Sequence, residues 1–370
     1  MRFPEFSGEW EEEQLDSIAT LSKGIGISKE QLSEDGEPCI LYGELYTKYK
    51  SEIIKQVESK TDIDCSKLKR SKANDVIIPC SGETAVDIAT ARCVPFDNIL
   101  LGGDLNIISL HKYDGAFMSY QLNGKRKYDI ARVAQGVSVV HLYGEHLKAI
   151  KTYNPSLPEQ QKIAKLLSLI DERIATQNKI IEDLKKLKSA ISERLFNAIK
   201  GDVVVLEDIG DVVKGKQING EFLSESGKYY VMNGGIEPSG FYNDYNVEAN
   251  TISISEGGNS CGYVQFNACP FWSGGHCYTI QNTTDNVKTE YLYQFLKSKE
   301  SEIMKLRIGS GLPNIQKKDL AKFKITIPNI SEQKVISAFL SSFERKADVE
   351  MNFVNLLLEE KQYLLRQMFI

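Results

Sequence analysis

The sequence predicts an α+β chain of two globular domains with twisted β-sheets, separated by two long antiparallel helices that form a coiled coil, in a pseudo-twofold internal repeat. Three observations carry this. Residues 136–196 recur without a gap as residues 309–369, offset by 173 positions. Both copies carry the same heptad-spaced apolar stripe. The regions ahead of the stripes are short β-rich runs punctuated by Gly, Asn and Ser turns.

The first domain, residues 1–154, opens with a block that is itself repeated. Leu15-Asp16-x-Ile18 with Lys23-Gly24 corresponds to Leu206-Glu207-x-Ile209 with Lys214-Gly215, at an offset of 191. The two offsets differ by 18, so the first copy holds about 18 extra residues, expected near 46–68. Runs such as 75–79, Asp-Val-Ile-Ile-Pro, read as strands. A spacer helix is expected within 155–200, where Ile163, Leu167, Ile170, Ile174, Gln177, Ile181, Leu184, Lys188, Ile191 and Leu195 alternate in steps of four and three. Pro158 suits its first turn and Gly201 its end. The second domain, 201–328, has strand-like runs at 251–255 and 277–280 and a helical stretch from 289 to 304. The last helix, 329–370, repeats the stripe as Ile336, Leu340, Phe343, Ala347, Glu350, Val354, Leu357, Lys361, Leu364 and Met368.

Two single-striped helices need a mate, and each is the other's nearest candidate. An antiparallel register in which Lys188 faces Glu350, Gln177 faces Lys361 and Ile174 meets Leu364 sets polar against polar. An unpaired seam charge costs about 3–5 kcal/mol, which favours such a register over its neighbours. About 40 residues at 1.5 Å each make a rod about 60 Å long.

With 26% charged and 42% hydrophobic residues among 370, the composition is that of an ordinary soluble protein. No apolar run is long enough for a membrane span or a secretory signal, so a cytoplasmic location is expected. The seven cysteines form no C-x-x-C pair, and Cys261, Cys269, His276 and Cys277 match no common zinc spacing. No metal is expected. A net charge of −5 is unusual for a free-standing nucleic-acid binder, so partners must supply much of any grip on DNA.

Catalytic motifs are missing. No phosphate-binding G-x-x-x-x-G-K-S/T occurs, and Asn154-Pro155-Ser156-Leu157 lacks the aromatic of an adenine-methyltransferase motif. What recurs in both copies is a set of loops rich in Gly and hydrogen-bonding side chains. Glycine lets backbone N–H groups approach phosphates, while Lys, Asn, Gln and Ser can read base edges. The DNA-binding candidates in the first domain are Ser22, Lys23 and Gly24; Ser81, Gly82, Glu83 and Thr84; Gly103 and Asp104; and Ser138. In the second they are Lys214, Lys216 and Gln217; Glu256, Asn259 and Ser260; Ser273 and His276; and Ser310 and Asn314. Any one of these alone is a turn; their recurrence ahead of both helices points to an interface.

On these residues the chain resembles the specificity (S) subunit of type I restriction-modification enzymes. The resemblance rests on the opening Arg2-Phe3-Pro4-Glu5-Phe6-x-Gly8-Glu9-Trp10, the Leu-x-x-Ile block with its Lys-Gly, and Pro155-x-Leu157-Pro158-Glu159-Gln160-Gln161-Lys162-Ile163 with its poorer copy at 328–336. It implies two target-recognition domains that each read half of a bipartite double-stranded DNA site, with the helices fixing their separation. It also implies two docked modification subunits that bind S-adenosylmethionine and methylate adenine, and restriction subunits that use ATP and Mg. The chain itself would bind no cofactor and perform no reaction. Because the domains differ, the target would be asymmetric, with the difference residing in the mid-domain and the 18-residue surplus. Two other readings compete: a structural scaffold with two protein-binding domains, which the negative charge favours, and an enzyme site built from Glu83, Asp104 and His111.

Overall fold

The structure, a computed structural model, describes residues 2–309, 311 and 313–369. It divides into two compact units, one of residues 1–178 with 352–370 and the other of residues 179–351. Each long helix, Leu157–Ala198 and Ile330–Gln367, contributes one segment to each unit.

The two units repeat one plan. In the first, an antiparallel sheet has the strand order Ala19–Lys23, Leu105–Leu110, Asp75–Pro79, Arg92–Val94. In the second, the order is Asp211–Lys214, Cys277–Gln281, Thr251–Ser255, Val264–Asn267. Asp75–Pro79 and Thr251–Ser255 are buried along their whole length, which is why both read as β-branched runs. Each unit adds a second small sheet built on one parallel pair, Glu37–Ile40 with Leu100–Leu101 and Tyr229–Met232 with Trp272–Ser273. Each closes with a two-stranded ribbon, Glu11–Gln14 with Lys151–Asn154 and Asp202–Val205 with Lys324–Ile327.

The repeated Glu-Gln at the helix starts has a structural cause. Gln160 donates to the Pro155 carbonyl (2.8 Å) and accepts from the Asp114 N–H (2.9 Å) at the head of helix Gly115–Asn123. Gln333 donates to the Pro328 carbonyl (2.9 Å) and accepts from the Lys288 N–H (2.8 Å) ahead of helix Thr289–Ser298. Both glutamines are buried, so each bond satisfies a group that water cannot reach. Glu159 has its own partner, a two-bond clasp from Arg2 at 2.7 Å.

Within each unit the helix segments run antiparallel, but the seam register differs from expectation. Lys188 donates to Glu344 (2.7 Å) rather than facing Glu350, which pairs with Lys346 on its own helix. Lys361 donates to Asp171 (2.6 Å) and Glu52 (2.5 Å) rather than facing Gln177. Both pairings lie six residues away from the expected ones. The reason is electrostatic: the expected register gives Lys361 a neutral amide, whereas the observed one gives each lysine a carboxylate. Leu364 accordingly shares a cluster with Ile163 and Leu167.

Each lysine–acid pair is tied to its globular domain by an equivalent tyrosine. Tyr120 donates to Asp171 (2.7 Å), with Lys361 5.6 Å above its ring. Tyr293 donates to Glu344 (3.3 Å), with Lys188 6.0 Å above its ring, and Gln294 adds a bond to Glu344 (3.0 Å). The first joint is buried, with Asp171 and Glu52 side chains 6% and 9% exposed; Glu344 is 33% exposed.

Glu52 belongs to the surplus of the first copy. The segment 46–68 supplies an extra strand, Lys60–Thr61, in the second sheet, and from it Ser51 donates to Asp171 (3.1 Å) and Lys55 to Glu172 (3.0 Å). Residues 51–55 therefore serve the domain-to-helix joint, which corrects the expectation that the whole surplus carries half-site specificity.

Candidate nucleic-acid interface

Strand direction gathers the candidate loops. In the second unit, the chain leaves the sheet after Lys214 and after Ser255 and enters it before Cys277, all at one end, because Lys214 pairs with Tyr278 and Ser255 with Cys277. Lys216 N–H donates to the Ser273 carbonyl (2.8 Å), Glu256 N–H to the His276 carbonyl (2.9 Å), and Gly258 N–H to the Pro313 carbonyl (3.0 Å). Lys214, Lys216, Gln217, Glu256, Asn259, Ser260, His276 and Asn314 thus share one face. Ser310 lies outside the described residues.

The first unit builds the same end. Asn106 pairs with Lys23, and Leu105 with Pro79. Cys80 N–H donates to the Asp104 carbonyl (2.7 Å), and Ser81 pairs with His141. Lys23, Gly82, Glu83, Gly103, Asp104 and Ser138 are brought together.

An antiparallel backbone bridge closes one loop in each set. Gln135 and His141 exchange backbone bonds of 2.9 and 2.7 Å; their counterparts at offset 173, Ile308 and Asn314, exchange bonds of 2.8 and 3.0 Å. Gly136 (φ 123°) and Gly309 (φ 95°) open the two loops in the left-handed region that glycine tolerates. His141, exposed at the place of Asn314, was missed by sequence reasoning although the offset maps one onto the other.

Several candidates hold the face together rather than presenting themselves. Ser273 is fully buried, and its backbone is gripped by Asn246 through bonds of 2.7 and 3.0 Å. Gly24 is buried and Gly215 half-buried; a Cβ would stand 2.0 Å from the Gly102 carbonyl oxygen at the first and 2.2 Å from that of Gly274 at the second. Ser81 is buried in its strand pair, and Ser22 is half-buried within the sheet. Thr84 caps the helix Ala85–Ile88, accepting from the Asp87 N–H (3.1 Å). Ser22, Gly24, Ser81, Thr84 and Ser273 are corrected to scaffold roles: a loop reader was expected where the chain still belongs to a strand end, a close approach or a cap.

The charges differ between the units. Lys23 and Asp104 face each other at 3.6 Å, both largely exposed. Lys214 instead donates to Glu256 (2.6 Å), which is 8% exposed. Tyr278 OH lies 3.1 Å from the same carboxylate, and burial first, then the Glu256 charge, pushes its hydroxyl well above the ordinary phenol range, keeping it a donor. Burial also pushes the Cys80 and Cys277 thiols up to about 11, so both stay neutral beneath the loops.

Among the described residues, no group of three His, Cys, Asp or Glu is placed to hold a metal, and no helix is long and apolar enough to cross a membrane. His111 bonds Thr20 (2.9 Å) at the far end of the strand Leu105–Leu110 from Asp104, so Glu83, Asp104 and His111 share no site.

Comparison with known proteins meets this geometry. The sequence matches the type I restriction modification DNA specificity domain over residues 7–186 and again over 200–357. A Mycoplasma pneumoniae protein bearing the name of a type I specificity subunit is 34% identical over 161 residues, a match spanning 43% of this chain and 42% of that one. The specificity subunit of the Methanocaldococcus jannaschii type I restriction enzyme MjaVIII is 24% identical over 320 residues, covering 75% of this chain and 74% of the relative. The crystal structure of the S subunit from M. genitalium superposes with a TM-score of 0.66 at 21% identity, covering 100% of this chain and 99% of that one. The chain therefore belongs to the type I restriction modification DNA specificity family and carries its domain twice.

Proposed function

We propose that this chain is the DNA-recognition subunit of a type I restriction-modification complex, reading an asymmetric bipartite site with one half assigned to each domain. The observation that carries this is the pair of loop sets at the same end of two equivalent sheets. They have one scaffold and different side chains, as two different half-sites require. The paired helices act as the spacer, since half-site separation in dyadic readers follows from protein geometry. Two modification subunits dock on the chain and supply S-adenosylmethionine chemistry; restriction subunits supply ATP- and Mg-dependent cleavage. The chain contributes recognition and no reaction of its own, consistent with its acidic balance and dependence on partners for phosphate contacts.

The test is adenine-methylation mapping in a host with and without the gene, alongside co-purification of a methyltransferase. A bipartite motif that appears only with the gene supports the proposal. Unchanged methylation with capture of unrelated proteins supports the scaffold reading.

A further inference from the structure

We infer that Lys214 reads a base edge while Lys216 contacts a phosphate, and that Glu256 is the positioning residue that separates their roles. The inference rests on the DNA-recognition reading and deepens it.

Two lysines two residues apart stand in opposite surroundings. Lys214 Nζ is 2.6 Å from Glu256 Oε1, and its side chain remains 51% exposed. The backbone that carries this carboxylate is held at both ends, the Glu256 N–H on the His276 carbonyl (2.9 Å) and its own carbonyl accepting from Ile315 N–H (2.8 Å); Tyr278 OH shares Oε1 at 3.1 Å, while the buried Oε2 takes no hydrogen bond and faces His276 Nδ1 at 3.7 Å. An ammonium has three donors. One is spent on Glu256, and the others face outward from a fixed anchor.

Such a lysine is a poor phosphate clamp. Its charge is largely compensated by a carboxylate within bonding distance, and an arriving phosphate meets that carboxylate as a like charge. A guanine edge carries no net charge and offers O6 and N7 as acceptors, so it gains the directed donors without that repulsion. Lys216 is the converse. It is exposed, makes no ion pair among the described residues, and its backbone is held by the Ser273 carbonyl (2.8 Å) and by the Trp272 indole N–H, which donates to its carbonyl (3.0 Å). A free charge on a fixed backbone suits phosphate.

The device is confined to the second half-site. Cys80 stands where Glu256 does in the other copy, with its N–H on the Asp104 carbonyl (2.7 Å) and its carbonyl accepting from Leu142 N–H (2.7 Å), and Lys23 has only the loose, exposed Asp104 at 3.6 Å.

The experiment titrates the assembled complex, carrying the wild-type, Lys214→Gln, Lys216→Gln or Glu256→Gln chain, with duplexes holding the methylated site and every single-base variant of the second half-site, across a salt series. Lys214→Gln is expected to lose about 5- to 150-fold in discrimination at one G·C pair and to keep the salt slope. Lys216→Gln is expected to weaken every duplex alike and to lower the slope of log affinity against log salt by about 0.9. Glu256→Gln frees Lys214, so discrimination at that same pair falls while non-specific affinity rises. Because Lys214→Gln leaves a buried carboxylate without its partner, the double variant Lys214→Gln/Glu256→Gln is measured too, and must lose the same pair. Uniform weakening with a lower slope in Lys214→Gln, or intact discrimination in Glu256→Gln, overturns the division of roles. A wild-type complex indifferent to the half-site overturns the DNA reading itself.

Discussion

Replacing Lys361 by methionine removes the cation from a buried joint and leaves Glu52 and Asp171 facing each other without it. Breaking a buried ion pair at one partner costs about 3–5 kcal/mol. The first unit holds about 200 residues, and a domain of that size shifts its melting temperature by about 2–4 °C per kcal/mol, so Lys361→Met should melt about 6–20 °C lower. Lys188→Met is the internal control. Its pair with Glu344 is half-buried, with side chains 16% and 33% exposed against 11% and 6% for Lys361 and Asp171, so its loss should be the smaller of the two. The loss at Lys361 must also depend on pH. Burial holds the Glu52 carboxyl above its ordinary range despite the pull of Lys361. A raised carboxyl contributes stability that is full below the ordinary value and fades as pH rises through the raised one. Removing Lys361 raises it further, so the destabilisation should be largest near pH 8 and shrink toward pH 5 as Glu52 takes up a proton. Calorimetric melts of both variants at the two pH values make the measurement. A Lys361→Met loss no larger than that of Lys188→Met, or one indifferent to pH, refutes the joint as described.

Gly215→Ala and Gly24→Ala each insert a Cβ about 2 Å from a carbonyl oxygen of the facing loop, so each should weaken DNA binding at one half-site by tenfold or more while the other half is still read; unchanged affinity in titrations of the complex would detach these loops from the interface. Four residues inserted near Lys179, matched at the facing position of the C-terminal helix, lengthen the rod by about 6 Å and should widen the tolerated spacer by one or two base pairs. An unaltered spacer in the methylation map would show that the rod is not the ruler.

The duplication made the fold legible, because the opening blocks repeat at an offset of 191 and the late loops and helix starts at 173, so each element found in one copy marks its partner in the other. Gln160 and Gln333 stood out in the sequence as a recurring motif, although only coordinates show that they seal the start of a neighbouring helix. The seam was legible as a stripe and not as a register: a 3.5-residue period fits at several shifts, and six residues is nearly two turns. Glu52 could not be foreseen, since it lies in the one stretch with no counterpart in the other copy. The face was legible as a set of loops, but Ser273, Ser81 and Gly24 look like exposed turn residues until strand ends are placed. The partnership of Lys214 with Glu256 joins positions 42 apart, a separation that no local pattern reveals.

The most direct test exchanges residues 201–328 for the corresponding domain of another such subunit and maps adenine methylation in the host. One half of the bipartite motif should change while the other half and the spacer persist. A motif altered in both halves, or in neither, would contradict the assignment of one half-site to each domain.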